Sequence, residues 1–527
     1  MNEPLAAPVL APPAAAEKPS VSVPDAVQLA ISQFQAGHRA EVESLCLKIM
    51  EVEPENPDAL HLTGVLAHLA GKHGIALALI EKAVRCNPVQ AQFHYNLGVV
   101  YGALRNGAAA LGEYREAARL EPGHASAWLN LGNSLLETDQ FDEAIAAYQR
   151  HLQNKPHDPA ATLALAIALY SARRFADAAP QYERSVALAP ADARAHWEHA
   201  HLLLMTRDYA RGWEEYEYRF AAAGSNVWNY PYPFPRWDGE PLAGKTIVLH
   251  GEQGLGDEIM FASIYPEVMA EAKHLIICCQ PHLAPLFCTS FPGATVHQQL
   301  RADEDAWTRR PVPWLNLTAP VHYQIPFGSL ARIRRLRDVD FPAHKGYLKS
   351  DTAKTRVWAA KLGALKGLRV GLCWAANPAI QDAVAARRSR KKSLTLETLE
   401  ILLEVDGATF VSLQTWDAAK QVADAAPATR ARVLDVSADL QDFSDTAALM
   451  MNLDLIITVD TSVAHLAGAL GRPVWILLPW QADWRWHDAG AGSEWYPSAR
   501  LYRQSALEDW ASAVERVKKD LRRQAKP

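Results

Sequence analysis

Cysteine is scarce in this chain: six residues in 527, none of them in a Cys-x-x-Cys pair. That argues against a disulfide framework and against a structural zinc site of familiar spacing. Cys278 and Cys279 are adjacent in an apolar run, a poor pair for a bridge of ordinary geometry. A reducing, cytoplasmic setting is expected. Positive charge is short as well. The net charge of −6 gives no support for a nucleic-acid partner, which usually needs a basic surface. No run approaches the roughly 18 consecutive apolar residues of a membrane span, so none is expected. The opening stretch is rich in Ala and Pro and places Glu3 where an export signal carries positive charge. A disordered tail over residues 1–22 is expected instead. No Gly-Lys-Ser/Thr phosphate loop is present, which disfavours phosphoryl transfer from ATP. What remains is 49% apolar and 21% charged, an ordinary globular balance, at a length that implies two to four domains.

Against that background a repeat stands out. Pro54, Pro88, Pro122, Pro156 and Pro190 lie 34 residues apart (88−54, and onward to 190−156). Gly64, Gly98 and Gly132 recur at a second phase, continued by Ala166 and Ala200. Ala76, Ala110, Ala144 and Ala178 recur at a third, and Ile80, Tyr114, Tyr148, Tyr182 and Tyr216 at a fourth. Each unit reads as two short amphipathic helices, with small residues where they cross and proline ending the second. One such unit cannot bury its apolar face alone, so neighbours must stack into a superhelix with a concave surface. Trp128-Leu-Asn-Leu-Gly132, Phe141-Asp-Glu-Ala144, Tyr148 and Pro156 resemble the tetratricopeptide repeat closely. The resemblance spans about residues 23–220, some six repeats, the first and last more degenerate. It implies a scaffold that holds a partner, most often a polypeptide.

After Phe220 the pattern changes. The segment 221–240 carries Trp228-Asn-Tyr-Pro-Tyr-Pro-Phe-Pro-Arg-Trp237, which cannot be a continuous helix and reads as a linker packed by its rings. Buried strands are expected at Thr246–His250, Leu275–Cys279 and, less clearly marked, Ala294–His297. A second series comprises Leu368–Trp374, Thr409–Leu413, Leu453–Val459 and Val474–Leu478. Strands alternating with helices predict parallel α/β sheets. Two series divided near 340–367 predict two Rossmann-like lobes, at 241–350 and 366–505, with an amphipathic helix over 506–527. Ligands in such folds sit at the carboxyl ends of the strands.

Two junctions carry the candidate chemistry. Gly251-Glu-Gln-Gly254-Leu-Gly256-Asp257-Glu258 follows a strand and opens a helix. Its order, G-x-x-G-x-G, is not the dinucleotide fingerprint, so NAD binding is disfavoured. Glycines there let backbone approach a ligand, and a helix start favours negative charge. Asp257 is then either a base for an acceptor hydroxyl or a carboxylate that merely caps its helix. In the second lobe, Asp460-Thr461-Ser462-Val463-Ala464-His465 leads from a strand into a helix. Its free N–H groups and hydroxyls suit a diphosphate, and His465 lies one turn beyond Thr461. An ordinary N-cap and a structural histidine are the plainer readings of the same residues.

Gly-Leu-Gly256-Asp257-Glu together with Asp460-Thr461-x-x-x-His465 resembles the heptosyltransferase-like, family 9-like glycosyltransferases of GT-B fold, over about residues 240–505. The pairing with repeats is similar to the protein O-GlcNAc transferases, although the motifs fit the former group better. The resemblance implies that Asp257 is the catalytic base and that Thr461, Ser462 and His465, with Asp460, hold the donor diphosphate. It implies a basic residue in the run Arg387-Arg-Ser-Arg-Lys-Lys392, where Arg388 and Lys392 are the candidates, and a nucleoside contact at Gln414. Gly254 and Gly256 belong to the same turn. The expected activity is inverting, metal-independent sugar transfer from a nucleotide-diphosphate sugar, with no cofactor, to an acceptor protein held by the repeats. No Asp-x-Asp stands where a metal-dependent enzyme needs it. A non-catalytic adaptor and a nucleotide-sugar epimerase are the alternatives. Trp484-Arg485-Trp486 and Trp495-Tyr496 either close over the donor or pack between lobes.

Overall fold

The computed structural model describes residues 21–225, 227–299, 320–377 and 383–525. Most of the Ala/Pro-rich opening, through residue 20, lies outside them. The chain divides into two compact units, Met1–Ala172 and Arg173–Pro527.

In the first unit the described residues form nine helices in a helical repeat array. The first helices of the pairs, Val23–Gln35, Pro57–Leu69, Ala91–Ala103, Ala125–Glu137 and Pro159–Ser171, begin 34 residues apart. The second helices, Arg39–Val52, His73–Cys86, Gly107–Leu120 and Phe141–Asn154, keep the same step. Local chemistry sets these limits. Asn56 and Asp158 accept hydrogen bonds from the N–H groups of Ala59 and Ala161, satisfying donors that a helix start leaves over. Each second helix stops because the residue before a proline is pushed out of the helical region: Glu53 has φ −127° and ψ 84°, Asn87 φ −143° and ψ 84°. Between the helices of a pair, Gly37, Gly71, Arg105 and Asp139 all hold a positive φ, of 83°, 74°, 58° and 61°. The glycine phase marks the crossings. A Cβ on Gly98 would stand 2.6 Å from the Tyr114 ring, and one on Gly132 2.6 Å from the Tyr148 ring.

The second unit begins with three more helices at the same step, Phe175–Leu188, Ala193–Met205 and Tyr209–Tyr216. Two parallel sheets follow. The first lobe contains β1 (Thr246–His250), β2 (His274–Cys279), β3 (Thr295–Gln298) and β4 (Tyr323–Pro326), in the order β3-β2-β1-β4. The second contains β5 (Leu368–Cys373), β6 (Ala408–Ser412), β7 (Val433–Asp435), β8 (Leu455–Val459), β9 (Val474–Leu478) and β10 (Ala499–Arg503), ordered β10-β9-β8-β5-β6-β7. Every pairing is parallel. Of the central strands, β1, β8 and β9 are buried along their whole length and β2, β5 and β6 along all but their first residues, and all read as apolar runs. The three strands that the sequence does not announce, β4, β7 and β10, all lie at sheet edges, where side chains meet solvent and the run breaks up. The helix Trp510–Gln524 lays Ala513, Val514, Val517 and Leu521 on the second lobe's core. Among the described residues no helix is long and apolar enough to cross a membrane.

The chain does not divide in the segment 221–240, where the sequence suggests a linker. Tyr230 and Tyr232 pack on Val248, Ile276 and Cys278, and Trp237 is fully buried. Upstream, Trp213 donates its indole N–H to the Arg335 carbonyl at 2.7 Å and meets Trp484 edge-on at 5.4 Å. Tyr209 Oη lies 3.2 Å from His487 Nε2. Arg219, without solvent exposure, pairs with the equally buried Glu252 at 2.7 Å. The helices from Phe175 to Tyr216 thus share a core with the lobes, and the division falls earlier.

Two predictions follow from this packing. A chain starting at Arg173 should keep a cooperative thermal transition, whereas one starting at Ala221 should lose it. The second cut strips Trp213 from the core and leaves Glu252 buried without its cation, changes costing about 3–5 kcal/mol each against a total stability of about 5–15. Calorimetry of the two chains decides this. In the first unit, Gly132→Ala should destabilise by about 1–2 kcal/mol, because overpacking against Tyr148 outweighs the gain in helix propensity. Gly112→Ala, where nothing lies within 4 Å of the new carbon, should instead stabilise by about 0.5–1 kcal/mol. Melting followed by circular dichroism reads both signs.

Candidate functional site

Strand order locates the site before any residue is considered. In the second lobe the order turns between β8 and β5, and it is at the carboxyl ends of such strands that open parallel sheets take ligands. Asp460–Ser462 follow β8 and Trp374–Asn377 follow β5. In the first lobe the Gly251–Gly254 loop leaves the carboxyl end of β1 and enters the helix Leu255–Phe261.

Gly254 is the cap of that helix, and its N–H donates to Asp257 Oδ2 at 3.0 Å. The plainer reading of Asp257 therefore accounts for one oxygen. The other, Oδ1, is paired with the Arg485 guanidinium from the second lobe. Gly256 is needed for closeness: a Cβ there would lie 2.8 Å from His465 Cδ2 and 3.6 Å from Ser462 Cα. The two helix starts, one from each lobe, are in contact at this glycine.

In the second lobe, Thr461 caps the helix Ser462–Ala469 with extended backbone and no side-chain bond. Its carbonyl accepts from the Ala464 N–H at 2.9 Å, and the N–H groups of Ser462 and Val463 have no intrahelical partner. Thr461 Oγ1 lies 3.3 Å from Thr458 Oγ1. Asp460 is a strut: Oδ1 accepts from the Trp486 indole at 2.9 Å and Oδ2 pairs with Lys392 Nζ at 3.4 Å. His465 is buried under Trp486, the rings stacked at 5.2 Å, with Nδ1 2.8 Å from Tyr496 Oη. Burial pushes its pKa down to about 4, so the ring is neutral at neutral pH. In the tautomer where Nδ1 accepts from Tyr496, Nε2 carries the proton and serves as a donor.

The other expected residues are placed as follows. Lys392 reaches the site through Asp460, while Arg388, on the helix Ala383–Lys391, is exposed. Gln414 is buried and its amide is engaged by backbone: Oε1 accepts from the N–H groups of Trp374 and Ala375, and Nε2 donates to the carbonyls of Ala375 and Thr415. It shapes the turn after β5 instead of presenting a free amide. That turn borders a cleft of about 500 Å³ lined by Ala375, Ala376, Ser389, Arg390, Ser393 and Trp510, among others. Beside it, Trp416 is 62% exposed and holds φ at +62°, a conformation that costs a non-glycine residue of order 1–3 kcal/mol.

Arg485 is the residue that sequence reasoning underrated. It sits between Asp257 and Asp483, with Nη1 2.6 Å from Asp483 Oδ1 and its Cζ 4.3 Å above the Trp484 ring. Burial opposes its charge, yet the two carboxylates hold its pKa well above the usual guanidinium range. Its buried Nε has no hydrogen-bond partner among the described residues. Trp484, Trp486, Trp495 and Tyr496 are all buried, so they pack the site from behind instead of closing over it. An arginine between two tryptophans after the last central strand was the available signal.

Residues 65–119, 95–159 and 135–196 match tetratricopeptide repeat families, and residues 413–477 match glycosyltransferase family 9 (heptosyltransferase). Protein FlbA of Caulobacter vibrioides is 30% identical over 316 residues, 58% of this chain and 51% of FlbA, so the chain spans about half the length of that relative. Among solved structures, pilF of Pseudomonas aeruginosa is 19% identical with a TM-score of 0.33, covering 38% of this chain and 89% of its own. YrrB, described as a TPR protein with an unusual peptide-binding site, is 17% identical with a TM-score of 0.30, covering 33% and 89%. The chain thus carries N-terminal tetratricopeptide repeats and, toward its C-terminus, a domain of glycosyltransferase family 9.

Proposed function

We propose that this protein transfers a sugar from a nucleoside-diphosphate donor to an acceptor hydroxyl, by an inverting reaction that uses neither metal nor cofactor. The observation that carries the reading is the meeting of Asp257 with the helix start at Thr461–His465, one from each lobe. Asp257 takes the acceptor's proton, the acceptor oxygen attacks the anomeric carbon, and the bond from that carbon to the diphosphate breaks. The leaving diphosphate is met by the N–H groups of Ser462 and Val463, by His465 Nε2 and by Lys392. The cleft beside Ala375 gives the nucleoside room, and Gln414 holds the turn that borders it. The acceptor is a polypeptide engaged by the repeats, in keeping with the usual work of such arrays.

Two substitutions test this reading, once a panel of nucleotide sugars has identified the donor that raises the melting temperature. His465→Ala should weaken donor binding by about 1.5–3 kcal/mol, the worth of a hydrogen bond to a charged group, without changing the melting temperature of the free protein by more than a few degrees. Titration calorimetry that finds donor affinity unchanged would return His465 to a structural role. Asp257→Asn should lower the transfer rate roughly 10²- to 10⁴-fold, the range for a general base. Full activity in this variant would leave Asp257 as a helix cap and remove the proposed base. A donor consumed without acceptor and released as an isomer would point to an epimerase, and donor binding without any turnover to an adaptor.

A further inference from the structure

Asp257 has two oxygens and both are held. Oδ2 accepts the N–H of Gly254, a contact internal to the helix start, and Oδ1 is covered by Arg485. The oxygen not tied to its own helix start is therefore occupied by a guanidinium. That guanidinium has a second tie, to Asp483, and a buried Nε with no partner among the described residues. Its neighbour Trp486 is anchored to the opposite side of the site, by its bond to Asp460 and its stacking on His465. Gly256, beside Asp257, lies against Ser462 at the start of the helix Ser462–Ala469. Arg485 thus stands where the two helix starts meet, close enough to His465 for its charge to act on that ring.

We propose that Arg485 is a diphosphate ligand held in reserve on Asp257: an arriving diphosphate takes over the guanidinium, and Asp257 Oδ1 becomes free for the acceptor. The inference rests on the reading of Thr461–His465 as the diphosphate seat. A diphosphate carries at least two negative charges against the one of Asp257, and its oxygens match the planar fork of an arginine. The unpartnered Nε gives the guanidinium a donor to spare for it. The exchange makes Asp257 available only when donor is present, so the acceptor is activated second.

The test is a mutant cycle read by titration calorimetry, with metal-free inorganic pyrophosphate as the probe and the full chain as the protein. If Asp257 competes for Arg485, Asp257→Asn should bind pyrophosphate roughly 3- to 30-fold more tightly than the wild type, the range of coupling between contacting charges. Arg485→Gln should bind it more weakly, Arg485→Lys less weakly than Arg485→Gln, and the double variant Asp257→Asn/Arg485→Gln should show no gain over Arg485→Gln alone. A gain that persists in the double variant would mean a general charge effect and overturn the proposal, as would an unchanged affinity in Asp257→Asn. His465→Ala serves as the control for the seat. If it weakens pyrophosphate while the cycle shows no coupling, the seat stands and the reserve role of Arg485 falls. If His465→Ala has no effect, or the wild type does not bind pyrophosphate, the seat itself falls and this inference with it. Should Arg485→Gln not fold, Arg485→Met takes its place in the single and double variants of the cycle.

Discussion

The contact at Gly256 is the constraint on which the arrangement of the site depends. Two helices, Leu255–Phe261 from the first lobe and Ser462–Ala469 from the second, bring their starts together there, and a single methyl group would run into the His465 ring. Two helix starts facing each other are electrostatically unfavourable, since each presents unpaired N–H groups and the positive end of its dipole. The molecule offsets this with carboxylates, Asp257 on one start and Asp460 just before the other. The carboxylates in turn require cations: Arg485 bridges Asp257 and Asp483, and Lys392 reaches Asp460. The polar composition of the crevice thus follows from one close approach between elements that a glycine permits.

A second layer holds that approach in place. Trp484, Trp486, Trp495 and Tyr496 fill the space behind the site, each buried, and two of them also make polar contacts, the Trp486 indole with Asp460 and the Tyr496 hydroxyl with His465. Aromatic rings add area and edge-to-face geometry at little cost in side-chain entropy. Trp213 and Tyr216, from the last repeat helix, meet the same cluster, and Tyr216 Oη donates to Gln253 in the glycine-rich loop at 2.9 Å. The end of the repeat array is therefore part of the wall of the site.

That explains what the sequence disclosed and what it withheld. The repeat was legible in detail because every unit solves the same local problem with the same residue at the same phase: proline to end a helix, glycine where rings cross. Where several residue types serve, the phase vanished from view. Arg105, Asp139, Arg173 and Arg207 hold the positive φ that Gly37 and Gly71 hold in the first pairs, and no sequence pattern marks them. The buried central strands were legible as apolar runs, while the edge strands β4, β7 and β10 were not. At the site, Asp257 and the Thr461–His465 turn could be named because strand-to-helix junctions are local. The roles of Arg485, Tyr496 and Gln414 could not, because each depends on partners 30 to 230 residues away in the chain. The same reason moved the boundary: nothing in Trp213 or Arg219 says that its partners lie beyond residue 250.

The last repeat helices also bring ionisable groups to the approach of the site. Glu198 and His201, 3.7 Å apart on the helix Ala193–Met205, belong to the same charged neighbourhood as Arg388 and Asp483. Burial would raise the Glu198 carboxyl, but His201 and Arg388 hold it below the usual carboxylate range, and Arg485 holds Asp483 down at about 2 against the same opposing effect. Both carboxylates are charged, and an arginine of the second lobe acts on each, Arg388 on Glu198 and Arg485 on Asp483. Asp483 in turn pairs with Arg485, the partner of Asp257, so the helix Ala193–Met205 borders the charged groups of the site. The buried part of this network is short: Arg485 joins Asp257 and Asp483, and the charge of His201 acts on Asp483 and that of Arg388 on Glu198.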